Sequence, residues 1–95
     1  MKIEFTIDSI NDLLRLRKFI EEKNPIAAKR IARELLNGVK KLKAFPKIGL
    51  PVLRAQDPEN IRDLFIGHYT VRYLITNKVI YILRIWHGKE IEKDL

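Results

Sequence analysis

Hydrophobic and polar side chains alternate at the start of the chain and again along its last third. Ile3, Phe5 and Ile7 alternate with polar residues, which is the pattern of a strand buried on one face. From Ile61 the period of two returns and predicts three further strands separated by short polar breaks. The four strands are predicted at Lys2 to Ile7, Ile61 to Ile66, Tyr69 to Thr76 and Val79 to Trp86.

Between these strands, apolar positions recur at spacings of three and four, which predicts two amphipathic helices. The first helix is predicted to begin at Ser9, which Asp12 follows three residues later, with Asp8 as a competing cap, and to end at about Lys23. Asn24 and Pro25 provide the cap and the first residue of the second helix, so the two helices form a tight antiparallel hairpin. The predicted apolar faces are Ile10, Leu13, Leu14, Leu16 and Ile20, then Ala28, Ile31, Ala32, Leu35, Val39 and Leu42.

The last two strands are predicted to form a hairpin around Asn77–Lys78, with apolar residues on both faces. The helices can cover only one face of the hairpin, so the other face predicts a contact with a partner or a second copy.

Two prolines and a glycine within residues 45–51 predict a loop between the second helix and the later strands. The chain is therefore predicted to be a single α+β domain of order β-α-α-β-β-β, with the N-terminal strand and the helical hairpin packed on a mostly antiparallel sheet. The predicted hairpin pairs are Ile75 with Ile80, Tyr73 with Ile82, Val71 with Arg84, Tyr69 with Trp86, and His68 with His87.

Charge adds information about partners. Of the net charge of +7 over 95 residues, the whole excess lies in residues 24–56, which contain eight basic residues and one acid. Such a segment favours an acidic partner, which could be nucleic acid, an acidic protein or a nucleoprotein, and a solvated helix face is the alternative. There is no cysteine, no apolar leader at the start and no long apolar run. These absences predict a cytoplasmic protein without disulfides or membrane spans.

Four segments of the chain, taken in order, carry a resemblance to a known family. They are "NPIAAKRIARELL" (24–36), "LKAFPKIGLPV" (42–52), "IRDLFIGHYTVRYLI" (61–75) and "VIYILRIWHGKE" (79–90). Together they resemble the RelE/ParE superfamily of toxins from type II toxin–antitoxin modules, and the ParE-like branch in particular. The resemblance implies a cytoplasmic toxin of the plasmid-stabilising kind, held inactive in a hetero-oligomer by a cognate ParD-like antitoxin. The C-terminal segment of such an antitoxin wraps the toxin.

The resemblance also implies one of two targets. ParE-like members poison DNA gyrase, whereas RelE-like members enter the ribosomal A site and cut mRNA. In this chain Thr70 stands where those nucleases have an arginine, Glu90 stands where they have a cation, and no tyrosine follows Tyr81. These departures predict a gyrase inhibitor that has no chemistry of its own. A ribosome-dependent mRNA endonuclease is the alternative, and a basic protein-binding domain without toxicity is a third interpretation.

Two sets of candidate site residues follow. For the nuclease alternative, His87 is the candidate general acid or base, because an imidazole titrates near neutral pH; the competing hypothesis is that it caps the strand end. No cofactor and no metal are predicted, since two histidines without a third ligand make a poor metal site. The cations that would assist His87 are Arg72, Arg84 and Lys89. The candidates for antitoxin binding are Arg33, Leu36, Lys40, Arg72, Arg84 and Trp86, the last of which is also a candidate packing residue.

Overall fold

Two helices and five strands make up the computed structural model, which describes residues 1–90. The strands form one sheet in the order β1-β5-β4-β3-β2, in which β1 is parallel to β5 and every other pair is antiparallel. This architecture confirms the predicted α+β fold. The elements are β1 (Lys2–Phe5), α1 (Ile7–Lys23), α2 (Pro25–Lys40), a 3₁₀ turn (Lys41–Lys43), β2 (Leu50–Pro51), β3 (Ile61–Ile66), β4 (Tyr69–Ile75) and β5 (Val79–His87).

The two helix starts differ in how well they were predicted. Asn24 caps α2 as predicted, because its side chain accepts a hydrogen bond from the Ala27 N–H at 3.1 Å. The predicted start of α1 at Ser9 or Asp8 is wrong, since Thr6 is the cap and its hydroxyl accepts from the Ser9 N–H at 3.2 Å. The same hydroxyl donates to the backbone oxygen of Ile82 at 2.9 Å, so it joins the start of α1 to β5.

The core lies between one face of the sheet and the inner faces of α1 and α2. The buried face of α1 is narrower than predicted, since Ile10 and Leu14 are 44% and 59% exposed. Ala32, which was predicted to lie on the apolar face of α2, is also exposed. The buried core residues are Leu16, Leu35, Val39 and Leu42 from the helical segment and Val71, Tyr73, Ile80, Ile82 and Ile85 from the sheet.

A β-bulge at Leu83 changes the register of the hairpin formed by β4 and β5. The predicted pairs at the turn end are confirmed, with Ile75 opposite Ile80 and Tyr73 opposite Ile82. The next residue of β5, Leu83, has no partner, so Arg72 lies opposite Arg84. The predicted pairs beyond it are therefore wrong: the pairs formed are Val71 with Ile85, Thr70 with Trp86 and Tyr69 with His87.

The bulge also changes which side chains face the helices. Ile85, which the predicted register placed on the opposite face from Val71 and Tyr73, is buried in the core opposite Val71. The outer face, which is turned away from the helices, carries Thr70 and Arg72, since side chains alternate along β4. The bulge places Trp86 opposite Thr70 on this face.

The loop between α2 and β3 is fastened to the sheet by two side chains. The Tyr73 hydroxyl donates to the backbone oxygen of Pro46 at 2.7 Å and accepts from the Gly49 N–H at 2.9 Å. Arg62 donates to the Gly49 oxygen at 2.9 Å. Directly after Gly49, residues Leu50–Pro51 form β2, which was predicted as part of a loop because a two-residue strand leaves no period to detect.

Candidate functional site

His87, the candidate acid or base, is the last residue of β5. Its ring packs edge-on against Tyr69 with the ring centroids 5.1 Å apart, and the ring of His68 lies 5.9 Å away. Nδ1 of His87 accepts a hydrogen bond from the Lys89 N–H at 3.0 Å, which places the proton of the neutral imidazole on Nε2. His87 therefore caps the turn that follows β5, and Nε2 is the nitrogen left for chemistry.

One carboxylate on α1 joins that helix to the end of β5. Asp12 accepts hydrogen bonds from Arg84 at 2.9 and 3.2 Å and from the Ile85 N–H at 2.9 Å. Arg15 donates to Asp12 at 2.7 Å and to Glu90 at 3.0 and 3.2 Å. These bonds form a continuous chain of charges from the bulge of β5 through α1 to the residues that follow β5.

Two groups of this network, Asp12 and Arg84, keep their charges at neutral pH. Burial, the largest influence, raises the pKa of Asp12, but the hydrogen bonds from Arg84 and the Ile85 N–H and the charges of Arg84 and Arg15 outweigh it. The net effect lowers the pKa of Asp12 below its ordinary value. The hydrogen bond to Asp12 raises the pKa of Arg84 against the opposing effect of burial. Both groups are therefore ionised.

Glu90, the acid that the sequence analysis singled out, has a structural role. Its carboxylate accepts from the backbone N–H of His87 at 2.8 Å as well as from Arg15. It thereby fastens the turn after β5 to α1. A cation at this position would face Arg15 instead of pairing with it.

Arg72 and Trp86 lie together on the outer face of the sheet. Arg72 binds the carboxylate of Asp63, its neighbour on β3, through Nε at 2.8 Å and Nη2 at 2.9 Å. Its guanidinium carbon lies 5.0 Å from the centroid of the Trp86 ring, within the range of a cation–π contact. Both side chains are buried, Arg72 at 4% and Trp86 at 5% exposure.

The structure therefore brings the nuclease candidates near one another without forming a cationic cluster. Arg72 and Arg84 are neighbours across the strands, but each binds a different carboxylate. Lys89 is exposed, and its contact with His87 is made by the backbone. Cleavage of RNA without a metal needs cations on the phosphate next to the acid and the base. Within residues 1–90, Lys89 is the one member of the candidate set whose charge is not paired with a carboxylate.

The remaining antitoxin candidates, Arg33, Leu36 and Lys40, lie on the exposed face of α2. Ile26, Lys29, Arg33, Leu36 and Lys40 follow one another at spacings of three and four, so they form one line along the helix, here called the α2 stripe. Ile26 is 82% and Leu36 is 48% exposed. Within the described part of the chain, the three cations of the stripe have no ion-pair partner. The stripe thus offers both apolar area and positive charge.

Sequence reasoning did not select the three residues that position these arginines and Glu90. Asp12 was interpreted as part of a helix-start signal, and neither Arg15 nor Asp63 was considered. A usable signal was present for Asp12. It lies between Ser9 and Leu16 at helical spacing, so a charged residue occupies a position on the buried side of α1.

Two absences concern residues 1–90 alone. No three side chains of histidine, aspartate or glutamate in this part of the chain are arranged to bind a metal ion. No helix in it combines the length and the apolar character that crossing a membrane requires.

Three comparisons with known proteins show that the chain is similar to toxins. Residues 3–92 match the family model described as the ParE toxin of the type II toxin–antitoxin system parDE. A protein of Caulobacter vibrioides (strain ATCC 19089 / CIP 103742 / CB 15), "Toxin RelE2", is 26% identical over 88 residues, which cover 92% of this chain and 94% of the relative. A solved structure described as a chromosomal ParDE TA system from P. aeruginosa has the same fold, with a TM-score of 0.75 and 21% identity. That match covers 92% of this chain and 95% of the other.

Proposed function

Because the chain belongs to the ParE toxin family of type II toxin–antitoxin systems, we propose that it inhibits DNA gyrase by binding and that a ParD-like antitoxin neutralises it. One observation carries the first part of the proposal. Both arginines of the candidate nuclease set are paired with a carboxylate of the same chain, Arg72 with Asp63 and Arg84 with Asp12. Arginines whose charge is balanced by a neighbouring carboxylate are poorly suited to stabilising the phosphate during RNA cleavage, which favours a function by binding. Gyrase acts in the cytoplasm, so the proposal also places the protein there.

The mRNA endonuclease remains the second candidate because of one feature. Nε2 of His87 has no hydrogen-bond partner among residues 1–90, and Lys89 lies two residues away. A general acid needs such an unoccupied, protonated nitrogen. The substitution His87→Asn separates the two functions, since the asparagine oxygen can accept the Lys89 N–H in place of Nδ1 while Nε2 is lost.

The test combines purified protein with that variant. We expect the wild-type protein and His87→Asn to block gyrase supercoiling equally, and both to arrest growth with DNA-damage signalling when expressed without antitoxin. Circular dichroism checks that the variant is folded. If translation stops at once, cut mRNAs accumulate and His87→Asn loses toxicity while folded, the protein is a nuclease. If neither gyrase nor translation is affected, it is a binding domain without toxicity.

The α2 stripe supports the second part of the proposal. A disordered antitoxin segment that folds on binding needs an exposed surface with apolar anchors, and Ile26 and Leu36 provide them. Lys29, Arg33 and Lys40 alternate with these anchors, so the matching segment has apolar and acidic residues at helical spacing. Arg72, Arg84 and Trp86 are less suited to this contact, because their side chains already pack or pair within the toxin.

A further inference from the structure

A pocket of about 500 Å³ lies between α1 and the far end of the hairpin formed by β4 and β5. It is on the helix side of the sheet, away from the α2 stripe and away from the buried Arg72 and Trp86. Neither the proposed antitoxin contact nor the gyrase proposal uses it. The residues that line it are Arg15, Leu16, Phe19 and Lys23 of α1, Tyr69 of β4, His87 of β5, and Lys89 and Glu90.

Part of the pocket wall is apolar and aromatic. Leu16 is a buried core residue, whereas Phe19 is 57% exposed and offers its ring to a ligand. Tyr69 and His87 add two further rings, packed edge to face. The ammonium group of Lys23 lies 4.6 Å from the centroid of the Phe19 ring. A planar apolar body fits such a wall because flat rings pack on aromatic side chains.

The polar groups without partners in the pocket are hydrogen-bond donors. Within residues 1–90, neither the Tyr69 hydroxyl nor Nε2 of His87 makes a hydrogen bond. Burial, with a smaller contribution from Glu90, raises the pKa of Tyr69, so its hydroxyl keeps its proton at neutral pH. The oxygens of Glu90, the one carboxylate that lines the pocket, accept from Arg15 and from the backbone of His87. The free groups therefore suit an acceptor.

The charge of the lining matches one class of acceptor. Arg15, Lys23 and Lys89 are cations and Glu90 is an anion, which leaves a formal excess of two positive charges. A phosphate monoester carries a charge of about −1.5 to −2 at neutral pH, whereas a carboxylate carries −1. An inorganic phosphate would satisfy the charge but leave the aromatic wall and most of the volume unfilled.

We propose that this pocket binds a nucleoside monophosphate. The phosphate lies between Lys23, Lys89 and Nε2 of His87. The Tyr69 hydroxyl donates to the phosphate, and the base packs against the rings of Phe19 and Tyr69. The inference does not depend on the gyrase or antitoxin proposals, because it concerns other residues and a different kind of ligand. It shares His87 and Lys89 with the nuclease alternative, but it requires binding alone and no cleavage.

The test is a titration of the ¹⁵N-labelled full chain with adenosine 5′-monophosphate, followed by heteronuclear NMR. We expect saturable shifts confined to amides around Leu16, Phe19, Tyr69 and His87. Separate titrations with adenosine and with inorganic phosphate should each be at least about tenfold weaker, because each supplies half of the contacts. Equal binding by inorganic phosphate alone, or no saturable shift with the nucleotide, overturns the proposal.

Variants distinguish the pocket from diffuse attraction to a basic protein. Lys23→Gln should weaken nucleotide binding about five- to tenfold, as expected for the loss of one charge-assisted contact. Lys18→Gln removes the same charge from an exposed position on the same helix outside the pocket and should leave binding unchanged. Tyr69→Phe should weaken binding and Tyr81→Phe should not. Equal effects of Lys23→Gln and Lys18→Gln would show that the site does not exist.

Discussion

Asp12 holds together parts of the chain that are far apart in sequence. Its two oxygens accept from Arg84, Arg15 and the Ile85 N–H, and its own side chain is nearly inaccessible. In Asp12→Asn the amide NH₂ would face these donors and the buried arginine would lose its counter-charge. We expect a loss of about 3 kcal/mol in the free energy of unfolding, measured with urea at pH 7. Asp8→Asn, which removes an exposed carboxylate in the first turn of the same helix, should cost less than about 1 kcal/mol.

A comparison of the wild-type protein with Asp12→Asn also tests how the free energy of unfolding depends on pH. The folded-state pKa of Asp12 is lowered, so its contribution is present above the pKa of the unfolded carboxyl, about 3.9, and is lost as the pH falls through the folded value. The stability difference between wild type and Asp12→Asn should therefore be constant from pH 7 to about pH 5 and should shrink below about pH 4. A difference that persists undiminished at pH 2.5 would contradict this role of the charge.

Single residues were the scale at which sequence reasoning was least complete. Glu90 was singled out as an acid that replaces a cation, and its bond to Arg15 was not foreseen. Arg84 lies 72 residues from Asp12 along the chain, and Arg15 lies 75 residues from Glu90. No local pattern encodes a pair at that separation, because the fold alone brings the two side chains together.

At the scale of elements, periodicity predicted most of the structure. The amphipathic pattern gave α2 and its Asn24 cap, and alternation gave β3 within its observed bounds. The register of the hairpin failed beyond Leu83, because the bulge there has no glycine or other sequence marker. A single extra residue moved Ile85 into the core, which shows why alternation predicts strands better than it predicts their faces.

Gly49, in the loop before β3, lies so close to the sheet that a side chain there would clash. A Cβ atom at Gly49 would lie 2.7 Å from the backbone oxygen of Asp63 and 2.8 Å from the hydroxyl of the fully buried Tyr73. Neither can move without breaking the contacts of the loop. Gly49→Ala should therefore lower the free energy of unfolding by about 2 to 3 kcal/mol in urea denaturation.

Gly67→Ala is the matched control for Gly49→Ala. Gly67 has a φ of 57°, and a Cβ there would meet no atom within 4 Å. Its substitution carries only the backbone cost of about 1 kcal/mol. If Gly67→Ala proves as destabilising as Gly49→Ala, steric contact with Tyr73 and Asp63 is not what requires glycine at position 49.

At the scale of the whole molecule, the concentration of positive charge on the α2 stripe predicts a fast, salt-dependent association with an acidic partner. The double variant Arg33→Gln/Lys40→Gln removes two charges from the α2 stripe without touching the core. We expect association with the cognate antitoxin to slow several-fold at low ionic strength, and the difference to diminish in high salt. Stopped-flow or surface plasmon resonance measurements with the co-purified antitoxin would show it.

The control for that measurement is Lys18→Gln/Lys78→Gln, which gives the same net charge from exposed positions elsewhere. It should slow association less, because the removed charges are distant from the proposed contact. Equal slowing in the two double variants would mean that only the net charge matters and that the α2 stripe is not the antitoxin surface.

The parallel pairing of β1 with β5 has a consequence for biosynthesis. Lys2 pairs with Val79, so β1 is synthesised well before β5, its neighbour in the sheet. At translation rates of 5 to 20 residues per second this interval is roughly 4 to 15 s. During it the nascent chain lacks β5 and the three buried isoleucines that β5 contributes to the core. A chain that stops short of β5 cannot complete the fold, so interrupted synthesis does not release a working toxin.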